Sequence, residues 1–99
     1  MIAAAVDDLM FLSRIREAAK RRGTEVRTVR SADAAAAAGR EGATVVFVDL
    51  DTPRLPVLEI VAAVAGDPAL SGVGLVGFYS HVETDRAREA RAAAVPVDD

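Results

Sequence analysis

The sequence contains no cysteine and no tryptophan, and its 99 residues include one histidine, His81, and one lysine, Lys20. Without cysteine, disulfide bonds and thiolate metal sites are excluded. A single histidine also excludes a metal site built from clustered imidazoles. Any metal ion that this chain binds must therefore be held by oxygen ligands.

Large aromatic side chains are scarce as well, with three Phe and one Tyr, although hydrophobic residues make up 52% of the chain. Much of that fraction is alanine, which buries little surface. Helices and strands must therefore approach one another closely to form a dense core. The length fits a single domain, 1–99, near the lower end of the usual size range, and we expect modest stability.

The formal net charge is −3 and the isoelectric point is near 5.1. This balance argues against the nucleic-acid backbone as a partner. The longest apolar runs are too short to span a bilayer, and the chain starts with a strand pattern rather than a basic leader. The sequence therefore predicts a cytoplasmic protein with no nucleic-acid partner and no membrane contact.

Apolar strand patterns alternate with short helical patterns along the whole chain. The predicted strands are 2–6, 25–30, 43–48 and 73–79, and the predicted helices are 9–22, 32–41, 57–65 and 85–94. Gly23 is placed to end the first helix, and Ser31 to cap the second. This alternation predicts an α/β fold with parallel strands and right-handed crossovers. The continuous apolar run 43–48 is typical of a central strand covered on both faces.

Acidic residues follow two of these strands directly. Asp7 and Asp8 come after the first strand, and Asp49 ends the apolar run of the third. In a doubly wound parallel sheet, ligands bind beyond the carboxyl ends of the strands, so these carboxylates are expected to converge there. Clustered carboxylates repel one another unless a cation or a proton joins them. Oxygen ligands of this kind suit Mg²⁺, and a carboxylate beside that cation can attack phosphorus.

A simpler interpretation exists for each acidic segment. Asp7 or Asp8 could cap the helix that follows it. Asp49, Asp51 and Thr52 could be ordinary turn residues before a proline. Either segment alone is explained in this way, but their occurrence at corresponding ends of two apolar strands favours a metal and phosphoryl site.

With these residues the chain resembles the receiver domain of bacterial two-component response regulators, over essentially its whole length in element order. Asp7 and Asp8 match the acidic pair that ends the first strand in that family. The segment 49–53, DLDTP, matches the phosphoacceptor segment, with Thr52 where Met is usual. The resemblance implies a flavodoxin-like, three-layer α/β/α fold whose parallel strands have the order 2-1-3-4, here with the fifth βα unit missing.

The resemblance also implies a role for each acidic residue. Asp49 would accept the phosphoryl group, and Asp8 would bind Mg²⁺ directly. Asp7 would act on the metal through water, and the backbone carbonyl of Asp51 would complete the protein ligands. The implied partners are signalling proteins, either a histidine kinase or an effector protein.

Two residues of the family pattern have no clear match. The family places Thr or Ser at the end of the fourth strand, where this chain has Tyr79, with Ser80 one residue later as the candidate switch hydroxyl. The family also has a lysine at the end of a fifth strand, and Lys20 lies in the first helix instead. A missing fifth unit would expose the flank formed by the fourth strand and fourth helix, which predicts a homodimer through that flank.

Three functions are consistent with these residues. The first is a non-enzymatic signalling receiver that is phosphorylated on Asp49 with Mg²⁺. The second is a degenerate receiver that acts through protein contacts alone, as the two unmatched positions favour. The third follows from a different resemblance, because Asp49 and Asp51 are spaced like the nucleophile and the acid/base of haloacid-dehalogenase-type phosphatases.

Overall fold

The computed structural model describes residues 1–79, which form a four-stranded parallel sheet with the order β2-β1-β3-β4. The strands are β1 (Ile2–Ala5), β2 (Val26–Thr28), β3 (Val45–Asp49) and β4 (Gly74–Phe78). The predicted strand order and parallel pairing are confirmed. The predicted helix 85–94 and the proposed lack of a fifth unit concern residues outside this part of the chain.

Three α-helices and one short 3-10 helix connect the strands. They are α1 (Leu9–Arg21), α2 (Ala32–Arg40), α3 (Val57–Ala65) and the 3-10 helix Pro68–Leu70. The 3-10 helix was not predicted, and it begins where the Asp67 carboxylate accepts a hydrogen bond from the Ala69 N–H, at 2.9 Å. Gly23, with φ of 70°, follows α1 as expected, because only a residue without a Cβ adopts this conformation easily. None of the helices in residues 1–79 is both long and apolar enough to cross a membrane.

The larger part of the core lies between the sheet and the layer formed by α2 and α3. Alternate residues of β3, Val46 and Val48, are fully buried there, together with Ile60 of α3. Alanines complete this layer, since Ala35 and Ala38 of α2 have no exposed surface. The expected close approach of small side chains is therefore confirmed.

The opposite face of the sheet is covered by α1 and carries a smaller core. There Phe11 stacks on Phe78, with ring centroids 4.2 Å apart and planes 8° from parallel. The prediction that β3 is covered on both faces is wrong in part, because Val45 and Phe47 are only half-buried. Ala18 of α1, which its helical spacing predicts to lie on the apolar face of that helix, is likewise exposed. Within residues 1–79 one helix lies on this face of the sheet and two lie on the other, so less of this face is covered.

Candidate functional site

Asp49 is the last residue of β3 and lies at the carboxyl edge of the sheet. It is 2% exposed, and it pairs in register with Phe78 of β4. The backbone continues this pairing one residue further, where the Leu50 N–H donates to the Phe78 carbonyl at 2.9 Å. The carboxylate Oδ1 accepts a hydrogen bond from the Asp51 N–H at 3.0 Å. The neighbouring strand β4 and the following turn therefore hold Asp49 in place.

Asp8 is the N-cap of α1, so one of the simpler interpretations is confirmed. Its Oδ1 accepts hydrogen bonds from the Met10 N–H at 2.9 Å and from the Phe11 N–H at 3.2 Å. These two donors would otherwise have no partner inside the helix. Both cap bonds use the same oxygen, so the cap role and a position at the site are compatible.

Asp7 lies between two arginines that the sequence did not single out. Its Oδ1 is 3.0 Å from Nη1 of Arg30, and its Oδ2 is 3.4 Å from Nη1 of Arg54. Arg30 follows β2, which pairs with β1, and Arg54 lies in the loop between β3 and α3. The same rule that brings the carboxylates to one edge of the sheet could have identified both arginines.

These residues surround a cavity of about 230 Å³ at the carboxyl edge of the sheet. The lining residues are Asp7, Asp8, Asp49, Asp51, Thr52, Pro53 and Arg54. The structure thus brings together all four acidic residues that the sequence indicated. It also places one arginine, Arg54, in the same cavity wall as Asp49.

The carboxylates provide the type of ligand that Mg²⁺ prefers. In residues 1–79, however, no three acidic or histidine side chains lie together as a ready-made group for an ion. Each oxygen of Asp7 already lies beside an arginine, and Asp8 uses Oδ1 for the helix cap. Mg²⁺ binding therefore stays a prediction.

The two unmatched positions of the family pattern can be placed in part. Tyr79 follows Phe78 directly, is half-buried and packs against the larger core. Ser80, the candidate switch hydroxyl, lies outside the described residues, as does His81. Lys20 is in the last turn of α1, about 18 Å along the helix from the cap residue Asp8. It is therefore remote from the cavity.

No family model and no curated protein matches the chain. Solved structures do match it, and several of them are response regulators. The chemotaxis protein CheY4 of Vibrio cholerae is 18% identical with a TM-score of 0.74, covering 97% of this chain and 81% of its own. The phosphorylated cyanobacterial phytochrome response regulator RcpA is 23% identical with a TM-score of 0.76, covering 97% and 76%. A response regulator from Hahella chejuensis is 20% identical with a TM-score of 0.78, covering 99% and 77%.

The sheet order and the acidic cavity at its carboxyl edge define a flavodoxin-like α/β fold. The similarity to these response regulators identifies it further as the receiver-domain fold. The expected fold class is confirmed. At these levels of identity the similarity establishes the fold, and function has to be inferred from the site.

Proposed function

We propose that this chain is a signal-transduction receiver domain and that Asp49 accepts a phosphoryl group. The observation that carries the proposal is the position of Asp49, buried at the end of a central strand and in the wall of an acidic cavity. The resemblance to receiver domains implies a phosphoacceptor at this position, at the end of the third strand. We further propose that the phosphodonor is a histidine kinase, that the output is a contact with an effector protein, and that both take place in the cytoplasm.

The proposed reaction needs few groups. A carboxylate oxygen of Asp49 forms a bond to phosphorus, while the P–N bond of a phosphohistidine or the P–O bond of an acyl phosphate breaks. The leaving group departs with the electron pair of that bond. Negative charge on the transferring group must be balanced by cations or hydrogen-bond donors placed beforehand. The chain is a stoichiometric acceptor in this reaction and, in our proposal, not a turnover enzyme.

Incubation with acetyl phosphate and MgCl₂, followed by intact-protein mass spectrometry, tests this directly. We expect the mass of one phosphoryl group to be added to the natural chain and none to the Asp49→Asn variant. Asp67→Asn is a suitable control, because Asp67 lies after α3, away from the cavity, and should leave the adduct unchanged. An adduct that persists in Asp49→Asn would show that another residue is modified.

A second candidate function is protein binding without phosphoryl transfer. It is favoured by one observation, namely that both oxygens of Asp7 lie beside arginines and that no metal-binding group forms in residues 1–79. A folded natural chain that gains no mass from acetyl phosphate would support this candidate. The phosphatase interpretation of Asp49 and Asp51 gains no support from the structural similarities, and turnover of p-nitrophenyl phosphate is the assay that would revive it.

A further inference from the structure

We propose that Arg54 is the residue that contacts the phosphoryl oxygens at Asp49, an inference that rests on the function proposed above. Arg54 and Asp49 line the same cavity. In the structure the guanidinium is 3.4 Å from the Asp7 carboxylate, and its side chain is 77% exposed. The cavity that contains the acceptor therefore has its own cationic group, supplied by the loop that follows β3 rather than by a lysine.

The backbone of Arg54 is restrained beside the cavity, whereas its side chain is largely exposed to solvent. The preceding Pro53 restricts the chain, because its ring fixes φ. The Arg54 N–H donates a long hydrogen bond of 3.4 Å to Oγ1 of Thr52, which is itself buried. The guanidinium can therefore change its partner without any movement of the loop.

Asp7 provides the resting position of this side chain. Its two oxygens are paired separately, one with Arg30 and the other with Arg54. Ion pairs made by exposed arginines are weak, so exchange of Asp7 for a more highly charged anion is favourable. Arg30 remains beside Asp7 after the exchange and continues to balance its charge.

The guanidinium also has suitable geometry. It presents several N–H donors in one plane, and this fork matches two oxygens of a phosphate group. The cavity of about 230 Å³ has the volume of roughly eight water molecules, at about 30 Å³ each, so a phosphoryl group and its neighbouring waters fit.

Arg30 supplies a matched control, since it pairs with the same carboxylate but is not among the described residues that line the cavity. The experiment compares Arg54→Gln with Arg30→Gln. At saturating MgCl₂, where differences in Mg²⁺ affinity between the variants have no effect, adduct formation with acetyl phosphate is followed by mass spectrometry and binding of beryllofluoride by ¹⁹F NMR. Loss of one charge-assisted contact predicts an adduct rate and a beryllofluoride affinity about tenfold lower in Arg54→Gln. Arg30→Gln should stay close to the natural chain, and Arg54→Lys should restore part of the loss.

The outcomes separate this inference from the proposed function. If the natural chain forms the adduct and Arg54→Gln forms it equally well, the inference is wrong and the proposed function stands. Equal losses in both arginine variants would mean that the effect passes through Asp7, which also overturns direct contact. If the natural chain forms no adduct, inorganic phosphate is titrated into the protein and the NMR signals of the Arg54 side chain are followed. Signals that do not change reject the inference. Thermal unfolding of each variant shows that it remains folded.

Discussion

Asp7 is the residue whose surroundings differ most from what its position in the sequence indicated. The sequence placed it beside a metal ion, and the structure places each of its oxygens beside a guanidinium group. Because like charges repel, a divalent cation that approaches Asp7 is opposed by Arg30 and Arg54. The two arginines should therefore lower the affinity of the site for Mg²⁺.

Removal of either arginine is expected to strengthen Mg²⁺ binding. Arg30→Gln and Arg54→Gln should each lower the dissociation constant by up to about fivefold, the size expected for an exposed charge pair. Calorimetric titration with MgCl₂ measures this. Arg27→Gln is the control, since Arg27 pairs with Glu41, which follows α2, and should have no effect. Weaker Mg²⁺ binding in either test variant would contradict the repulsion argument.

At the scale of elements, the helices begin where a polar side chain satisfies their first N–H groups. The side chain of Ser31 accepts a hydrogen bond from the Ala34 N–H at 3.1 Å, as the sequence predicted for the start of α2. The Asp8 carboxylate does the same for α1. These contacts are local in sequence, which is why their positions could be predicted without knowledge of the fold.

Loss of the Ser31 cap should destabilise the domain. Ser31→Ala is expected to lower the free energy of unfolding by about 1 kcal/mol, because the Ala34 N–H loses its acceptor. Urea denaturation followed by circular dichroism measures the change. In Ser13→Ala, the same substitution at an exposed position within α1, the change should stay within about 0.5 kcal/mol. Equal effects at both positions would show that the cap contributes nothing.

The inner face of α3 contributes more than any cap. Ile60 is fully buried against the sheet, whereas Leu58 on the same helix is 38% exposed. Ile60→Ala should cost about 2–5 kcal/mol, enough to unfold much of a marginally stable domain. Leu58→Ala should cost far less. Thermal unfolding of the two variants compares them, and similar melting temperatures would mean that the core on this face is misassigned.

At the scale of the whole molecule, the two faces of the sheet are covered unequally. The layer of α2 and α3 buries Val46 and Val48 completely, while α1 leaves Val45 and Phe47 half-buried on the other face. Beside them, between α1 and the sheet, lies a cavity of about 480 Å³. Among the described strands, β4 lies at one end of the sheet and pairs with β3.

The predicted homodimer through the β4 flank can be tested by sedimentation. We expect the natural chain to show a concentration-dependent dimer, because β4 is the last strand of the sheet in residues 1–79 and a strand at a sheet edge tends to recruit another strand. Val76 is a half-buried residue of β4. Val76→Lys should shift the protein towards monomer, since an added charge opposes the pairing of β4 with a second copy. Thr28→Lys on β2, at the opposite end of the sheet, is the control and should keep the dimer. A natural chain that sediments as a monomer at all concentrations would reject the dimer.

The sequence by itself determined the order and type of the strands and α-helices in residues 1–79, the acid Asp49 after the apolar run of β3 and the cap at Ser31, because these depend on periodicity and on neighbours a few residues away. Only the tertiary structure decided the pairing of Asp7 with Arg30 and Arg54. Those residues are far apart in the chain and meet only because the parallel crossovers bring the ends of β1, β2 and β3 to one edge. Partial coverage of Phe47 was decided in the same way, since burial depends on which helices reach each face. The acidic cavity was therefore predictable, whereas the pairing of each Asp7 oxygen with a particular arginine required the fold.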